Sequence, residues 1–147
     1  MDLITEQLIS FDEDLSSVQE VFQRISKILF NEGRVKDQST VYRDLMEREG
    51  IIPTAMGNGI AIPHALSDTV ITESITILRL KKPIQWTEGE KVKHIFSIAV
   101  PKANANQTHL KILSNIARNL LDDTIRRILF SSKDKNEIIT QILSFSE

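Results

Sequence analysis

The stretch Pro53-Thr54-Ala55-Met56-Gly57-Asn58-Gly59-Ile60-Ala61-Ile62-Pro63-His64 constrains this chain more than any other. Ile60-Ala61-Ile62 is a short apolar run with turn residues on both sides, which suits a strand packed in a core. Gly57 and Gly59 supply backbone freedom ahead of it, because glycine takes positive φ at little steric cost. Pro63 has no N–H to give to a ladder, so a central strand is expected to stop there. His64 then stands at the strand's end, on the rim of a sheet. An imidazole held on such a rim can serve as nucleophile, acid/base or ligand.

With 147 residues the chain is read as one domain, 1–147, large enough to bury a core. Lys plus Arg number 18 against 20 Asp plus Glu. That balance carries no electrostatic footprint for nucleic acid or an anionic membrane. No apolar run approaches the roughly 20 residues that span a bilayer, so no direct membrane insertion is expected. Met1-Asp2-Leu3-Ile4-Thr5-Glu6 lacks the basic region and apolar segment of a signal peptide. The absence of cysteine excludes disulfides, thiolate chemistry and cysteine-ligated zinc. The expectation is a cytoplasmic single domain.

Around the motif, Leu8 to Phe11 suits a short edge strand or a turn. Val18, Val21, Phe22, Ile25, Ile28 and Leu29 recur at helical spacing, predicting a helix from about Ser17 to Glu32. Ser17-x-x-Glu20 fits a capping box and Gly33 a C′ position. A second helix is expected over Ser39 to Glu49, with Val41, Tyr42, Leu45 and Met46 inward and Gly50 at its end. Ser74 to Leu80 reads as a strand stopped by Lys81-Lys82-Pro83, with Trp86 in the connection after it. Lys93 to Val100 is nearly continuously apolar, as in a central strand covered on both faces. A helix over Thr108 to Leu121 would turn Leu110, Leu113, Ile116, Ala117, Leu120 and Leu121 to the core. Two more helices follow, at about Thr124 to Phe130 and Asp134 to Leu143. Helices at both ends with strands between them argue for an α/β sandwich of layers.

Three histidines compete for a functional role: His64, His94 and His109. His64 is singled out by its glycine-rich, proline-ended setting. His109 falls in the first turn of a helix, where backbone N–H groups favour anions. His94 sits inside a strand pattern and reads as structural. No P-loop or dinucleotide fingerprint is present, no His-Glu-x-x-His supports a metal, and no Gly-x-Ser-x-Gly elbow supports a serine triad. What remains is two histidines, Arg48 and helix N-termini, a set that suits transient covalent capture of a phosphoryl group. Arg48 offers a permanently charged fork for its oxygens. The rival reading of Arg48 is a solvated arginine in the surface run Glu47-Arg48-Glu49.

Gly57 to Ala65 (GNGIAIPHA) resembles the active-site signature of enzyme IIA domains of the fructose/mannitol family in the bacterial sugar phosphotransferase system. The resemblance extends to Arg48-Glu49, Thr54, Lys82 to Trp86, Phe96 to Pro101 and Thr108 to Ala117. It implies a three-layer α/β sandwich with a mixed, about five-stranded sheet and helices on both faces. It implies that His64 accepts a phosphoryl group from phospho-HPr and passes it to a IIB component, with a membrane IIC component on a separate chain. By the same resemblance His109 hydrogen-bonds the phosphoryl group or His64, and Arg48 stabilises its charge. Thr54, Gly57, Asn58, Gly59 and Pro63 shape the supporting loop. Neither a cofactor nor a metal is implied. The chain departs from the family pattern at Ala55-Met56 and at Ala65, where glycine is frequent. The alternative is a nitrogen-regulatory type of IIA protein that controls targets by phosphorylation-dependent binding.

Overall fold

The structure, a computed structural model, describes residues 1–104 and 108–145, with no side-chain detail over 104–110. Its sheet is mixed, and two strands at its centre position the motif. A 3-10 turn leads into β1 (Ile9–Glu13), which lies on one edge parallel to β5 (Ser74–Thr87). β5 pairs antiparallel with β6 (Glu90–Pro101). On the far side of β6 lie β3 (Ile60–Ala61) and β4 (His64–Ser67), end to end and both parallel to it. β2 (Ala55–Gly57) closes that side, antiparallel to β3. Six strands thus occupy five positions across the sheet, because the β3 and β4 segments share one.

Helices α1 (Val18–Asn31) and α2 (Gln38–Ile51) cover one face. Helices α3 (Thr108–Asn119), α4 (Asp123–Ser131) and α5 (Lys135–Ser144) cover the other. Two apolar clusters follow. Phe22, Ile25, Leu45, Leu78, Ile95 and Ala99 pack on the first face. Ile77, Phe96, Ile98, Ile116, Leu129 and Ile142 pack on the second. Residues 95–100 of β6 alternate between the clusters and are all buried, as a strand covered on both faces requires.

The cap signals of α1 are realised. Ser17 Oγ accepts from the Glu20 N–H at 3.2 Å, and the Glu20 carboxylate accepts from the Ser16 N–H at 2.9 Å. Gly33 takes φ +70°. Its N–H donates to Phe30 O and the Arg34 N–H to Leu29 O, a Schellman closure.

Other boundaries differ from expectation. α2 runs through Gly50 to Ile51, since nothing at Gly50 needs positive φ. Strand β5 continues past Pro83 to Thr87 and carries Trp86 within it. The missing N–H of Pro83 is accommodated by a register shift between Arg79 and Ile84, where the ladder to β6 is interrupted. α3 ends at Asn119, which leaves Leu121 beyond it and 67% exposed rather than in the core. The side chain of Leu110 lies outside the described residues.

Candidate functional site

The central motif folds as a hairpin followed by a broken strand. Gly57, Asn58 and Gly59 take φ of +88°, +57° and +73°. Positive φ at both central residues, Asn58 and Gly59, is what a two-residue type I′ turn demands, and Asn-Gly is its preferred sequence. A Cβ at Gly57 would meet nothing within 4 Å, so backbone conformation and not space favours glycine there. Gly59 O then accepts from the N–H groups of Lys93 and His94, seating the turn on β6.

Pro63 interrupts the strand without ending it. Pairing of Ala61 with Ile95 stops, the Pro63 carbonyl accepts from the Ile98 N–H at 3.0 Å, and pairing resumes at His64 beside Ile98. His64 therefore begins a strand instead of standing at the end of one. It is also 6% exposed, not set out on a rim. The proline removes one N–H from the ladder at the point where the backbone must jog, and the parallel partner re-engages immediately.

The His64 ring is held by its own chain. Nδ1 lies 2.9 Å from Ile62 O. A carbonyl only accepts, so Nδ1 carries the proton and Nε2 carries the lone pair. Burial pushes the imidazole pKa below its ordinary value; the Ile62 carbonyl opposes this, nearby Arg48 adds to it, and Glu49 works against it. His64 is thus neutral at pH 7, in the protonation state a nitrogen nucleophile requires.

His64 opens onto a cleft of about 440 Å³ between α2 and the β4 edge. Arg43, Arg48 and Lys102 bring positive charge to its walls, and Asp44, Glu47 and Asp68 bring negative charge. Asp44 accepts a short hydrogen bond from the buried Ser67 hydroxyl, which ties α2 to β4. Arg48, the sequence candidate, is brought to this cleft while its guanidinium donates to Ile52 O at 2.9 Å at the end of α2. Its permanent charge acts on His64 from there. His109 falls in the first turn of α3, as expected, and its side chain lies outside the described residues. Among the described residues no group of three or more His, Cys, Asp or Glu is placed to hold a metal.

Sequence reasoning gave Glu49 no role of its own. Its carboxylate accepts from the Thr54 N–H at 2.6 Å, the Thr54 hydroxyl at 2.7 Å and the Trp86 indole N–H at 3.0 Å. The Trp86 partner lies 37 residues away, so no local spacing announces it. Thr54, by contrast, is five residues on, within a loop the sequence had already marked.

Fold and site together define an α/β domain that presents a buried, neutral, oriented histidine at a mixed-charge cleft. The family described as "Phosphoenolpyruvate-dependent sugar phosphotransferase system, EIIA 2" matches residues 2–145, and the chain belongs to it. It is 31% identical over 134 residues to the fructose-specific EIIA component of Haloferax volcanii, covering 90% of this chain and 86% of that protein. It is 33% identical over 139 residues to multiphosphoryl transfer protein 1 of Escherichia coli, spanning 94% of this chain but only 17% of the relative's length. Among solved structures, the nitrogen regulatory protein IIA-Ntr of Neisseria meningitidis superposes with a TM-score of 0.84 at 26% identity, covering 95% of this chain and 96% of that one. The IIA mannitol protein of E. coli shares the fold with a TM-score of 0.77 at 17% identity, over 94% and 97% of the two chains. No helix among the described residues is long and apolar enough to cross a membrane.

Proposed function

We propose that this chain is a phosphocarrier that takes a phosphoryl group from phospho-HPr onto His64 and passes it to a IIB component during sugar uptake. The observation that carries this is the Nδ1–H to Ile62 carbonyl bond of a buried histidine, which directs the Nε2 lone pair to the role of nucleophile. In the forward step Nε2 attacks phosphorus, the donor's N–P bond breaks, and the donor nitrogen recovers its electron pair. The new phosphoimidazole ring keeps its Nδ1 proton, and the Ile62 carbonyl stabilises the positive charge that develops on the ring. Transfer to IIB reverses the arrangement, with Nε2 as leaving group. Both steps demand chiefly positioning and charge stabilisation. Arg48 at the cleft wall supplies charge for the phosphoryl oxygens, and His109 at the start of α3 is assigned a hydrogen bond to the phosphoryl group or to His64. Thr54, Gly57, Asn58, Gly59 and Pro63 act indirectly, by setting the hairpin and the break that place Ile62 O. No bound cofactor takes part, and the setting is the cytoplasm, with a membrane IIC component as a further partner.

The test is intact-mass spectrometry at mildly alkaline pH after incubation with phosphoenolpyruvate, enzyme I and HPr. An acid-labile adduct of one phosphoryl group, dependent on HPr and discharged by a cognate IIB, is expected. A folded protein that stays unmodified would refute the assignment. A regulatory role through phosphorylation-dependent binding is supported by the 26% identity to the nitrogen regulatory protein. An adduct that forms readily but is not discharged by IIB proteins would favour that second role.

A further inference from the structure

Ile62 is the pivot of the site, and its surroundings point to a residue not yet given a role. It lies between β3 and β4, where the ladder to β6 is interrupted. Its carbonyl accepts from His64 Nδ1, and its N–H donates to Thr54 O at 3.1 Å. This last bond is the rung beyond Ala55–Ala61 in the β2–β3 ladder. The Ile62–Pro63 peptide has no N–H of its own to lock its plane. The direction of the Ile62 carbonyl therefore depends on where Thr54 is held. Thr54 is held from both its N–H and its hydroxyl by the Glu49 carboxylate, which the Trp86 indole in turn braces.

We infer that Glu49 is a positioning residue for His64, acting through Thr54 and Ile62 to fix the Nδ1–H tautomer. This inference rests on His64 being the phosphoryl acceptor. Besides the charge by which it raises the His64 pKa, Glu49 acts through the bonds of Thr54 and Ile62. It sets which ring nitrogen keeps the proton, and so which one carries the reactive lone pair. Charge-assisted bonds to a carboxylate are about twice as strong as neutral ones, so this anchor is stiffer than a neutral acceptor would make it. Glu49→Gln removes the charge yet can keep three neutral bonds, its amide oxygen accepting from the Thr54 and Trp86 N–H groups and its N–H₂ donating to the Thr54 hydroxyl; Glu49→Ala removes all three at once.

The experiment combines two readouts on the intact chain. Long-range ¹H–¹⁵N correlation of the histidine rings at pH 7.5 reports the His64 tautomer without any phosphoryl donor. Single-turnover phosphorylation by phospho-HPr reports transfer. In the unmodified chain His64 is expected as the Nδ1–H tautomer; in Glu49→Ala as a mixture of tautomers, with transfer slowed. Outer partners that orient metal-bound histidines are worth about 10- to 100-fold, and a loss in that range is expected here. Thr54→Val, which removes the hydroxyl but keeps the backbone N–H, should shift the tautomer less, and Thr54→Ser should restore it. A pure Nδ1–H tautomer in folded Glu49→Ala overturns the inference even if stability or transfer falls. Should Glu49→Ala not fold, an unshifted tautomer in Thr54→Val overturns it instead. An unmodified chain that accepts no phosphoryl group sinks the phosphocarrier role and leaves the tautomer comparison to decide the positioning claim separately.

Discussion

His64 and His94 sit in the same sheet, both partly withdrawn from water, and of the two only His64 lines the charged cleft. His94 lies on β6 opposite Ile60 on one side and Arg79 on the other. His64 lies against Ile98, farther along the same strand. Burial lowers both pKa values. For His94 the neighbouring Arg79 and Lys93 lower it further, to about 4. The His94 ring stacks on Phe130 with centroids 3.7 Å apart and planes 4° from parallel. Its environment makes it neutral and wedges it under α4. The environment of His64 makes it neutral, orients it through Ile62 O and opens it to a charged cleft. Desolvation supplies the protonation state in both places. Orientation and access separate a nucleophile from a packed ring.

The sharpest way to break this contrast is to exchange the expected consequences. His64→Ala should abolish phosphoryl acceptance in the phospho-HPr assay with circular dichroism unchanged, since of the two described rings only His64 combines orientation with access. A surviving adduct would assign the chemistry elsewhere, His94 included. Arg48→Gln keeps a polar side chain but removes the charge. Hydrogen bonds to charged groups are worth about 1.5–3 kcal/mol and each ~1.4 kcal/mol is tenfold in rate, so transfer should slow about 10- to 100-fold in single-turnover measurements. Unchanged kinetics would return Arg48 to the helix-capping role that its bond to Ile52 already gives it. His94→Ala should leave acceptance by the folded protein intact and lower stability by about 1–3 kcal/mol, read as a drop in the urea midpoint. A loss of transfer with normal stability would erase the distinction between the two rings.

The smallest effect is in pH. Both folded-state pKa values lie below the ordinary histidine value, so below about pH 6.5 the folded protein binds fewer protons than the unfolded chain. Stability should therefore fall as pH drops below about 6.5, with the His94 contribution levelling off below about 4. Histidine NMR titration should place the His64 midpoint below the ordinary value and that of His94 near 4. A His94 midpoint at the ordinary value would mean that its ring is hydrated and the contrast with His64 is misdrawn.

Much of the architecture was legible along the chain because its signals are local. Ser17, Glu20 and Gly33 delimit α1 through contacts within a few residues. Asn58-Gly59 specifies a tight turn by backbone sterics alone. The continuous apolar run of β6 announces a strand buried on both faces. The same local logic misplaced Pro83 and Gly50. A proline can sit in a bulge when the partner strand shifts register, and a glycine can remain helical where nothing calls for positive φ.

The sequence by itself thus determined that His64 would be presented by a glycine turn and a proline, and that helices and strands would stack as the layers of an α/β sandwich. These follow from φ preferences, missing donors and apolar periodicity, all properties of neighbouring residues. Tertiary structure alone decided that the strand resumes at His64, that Ile62 O accepts a hydrogen bond from Nδ1–H, and that Glu49 ties Thr54 to Trp86. Each of these depends on β6, β5 and α2 converging at one point in space. A hydrogen bond senses only distance and angle there, and it carries no trace of how far apart its partners lie along the chain.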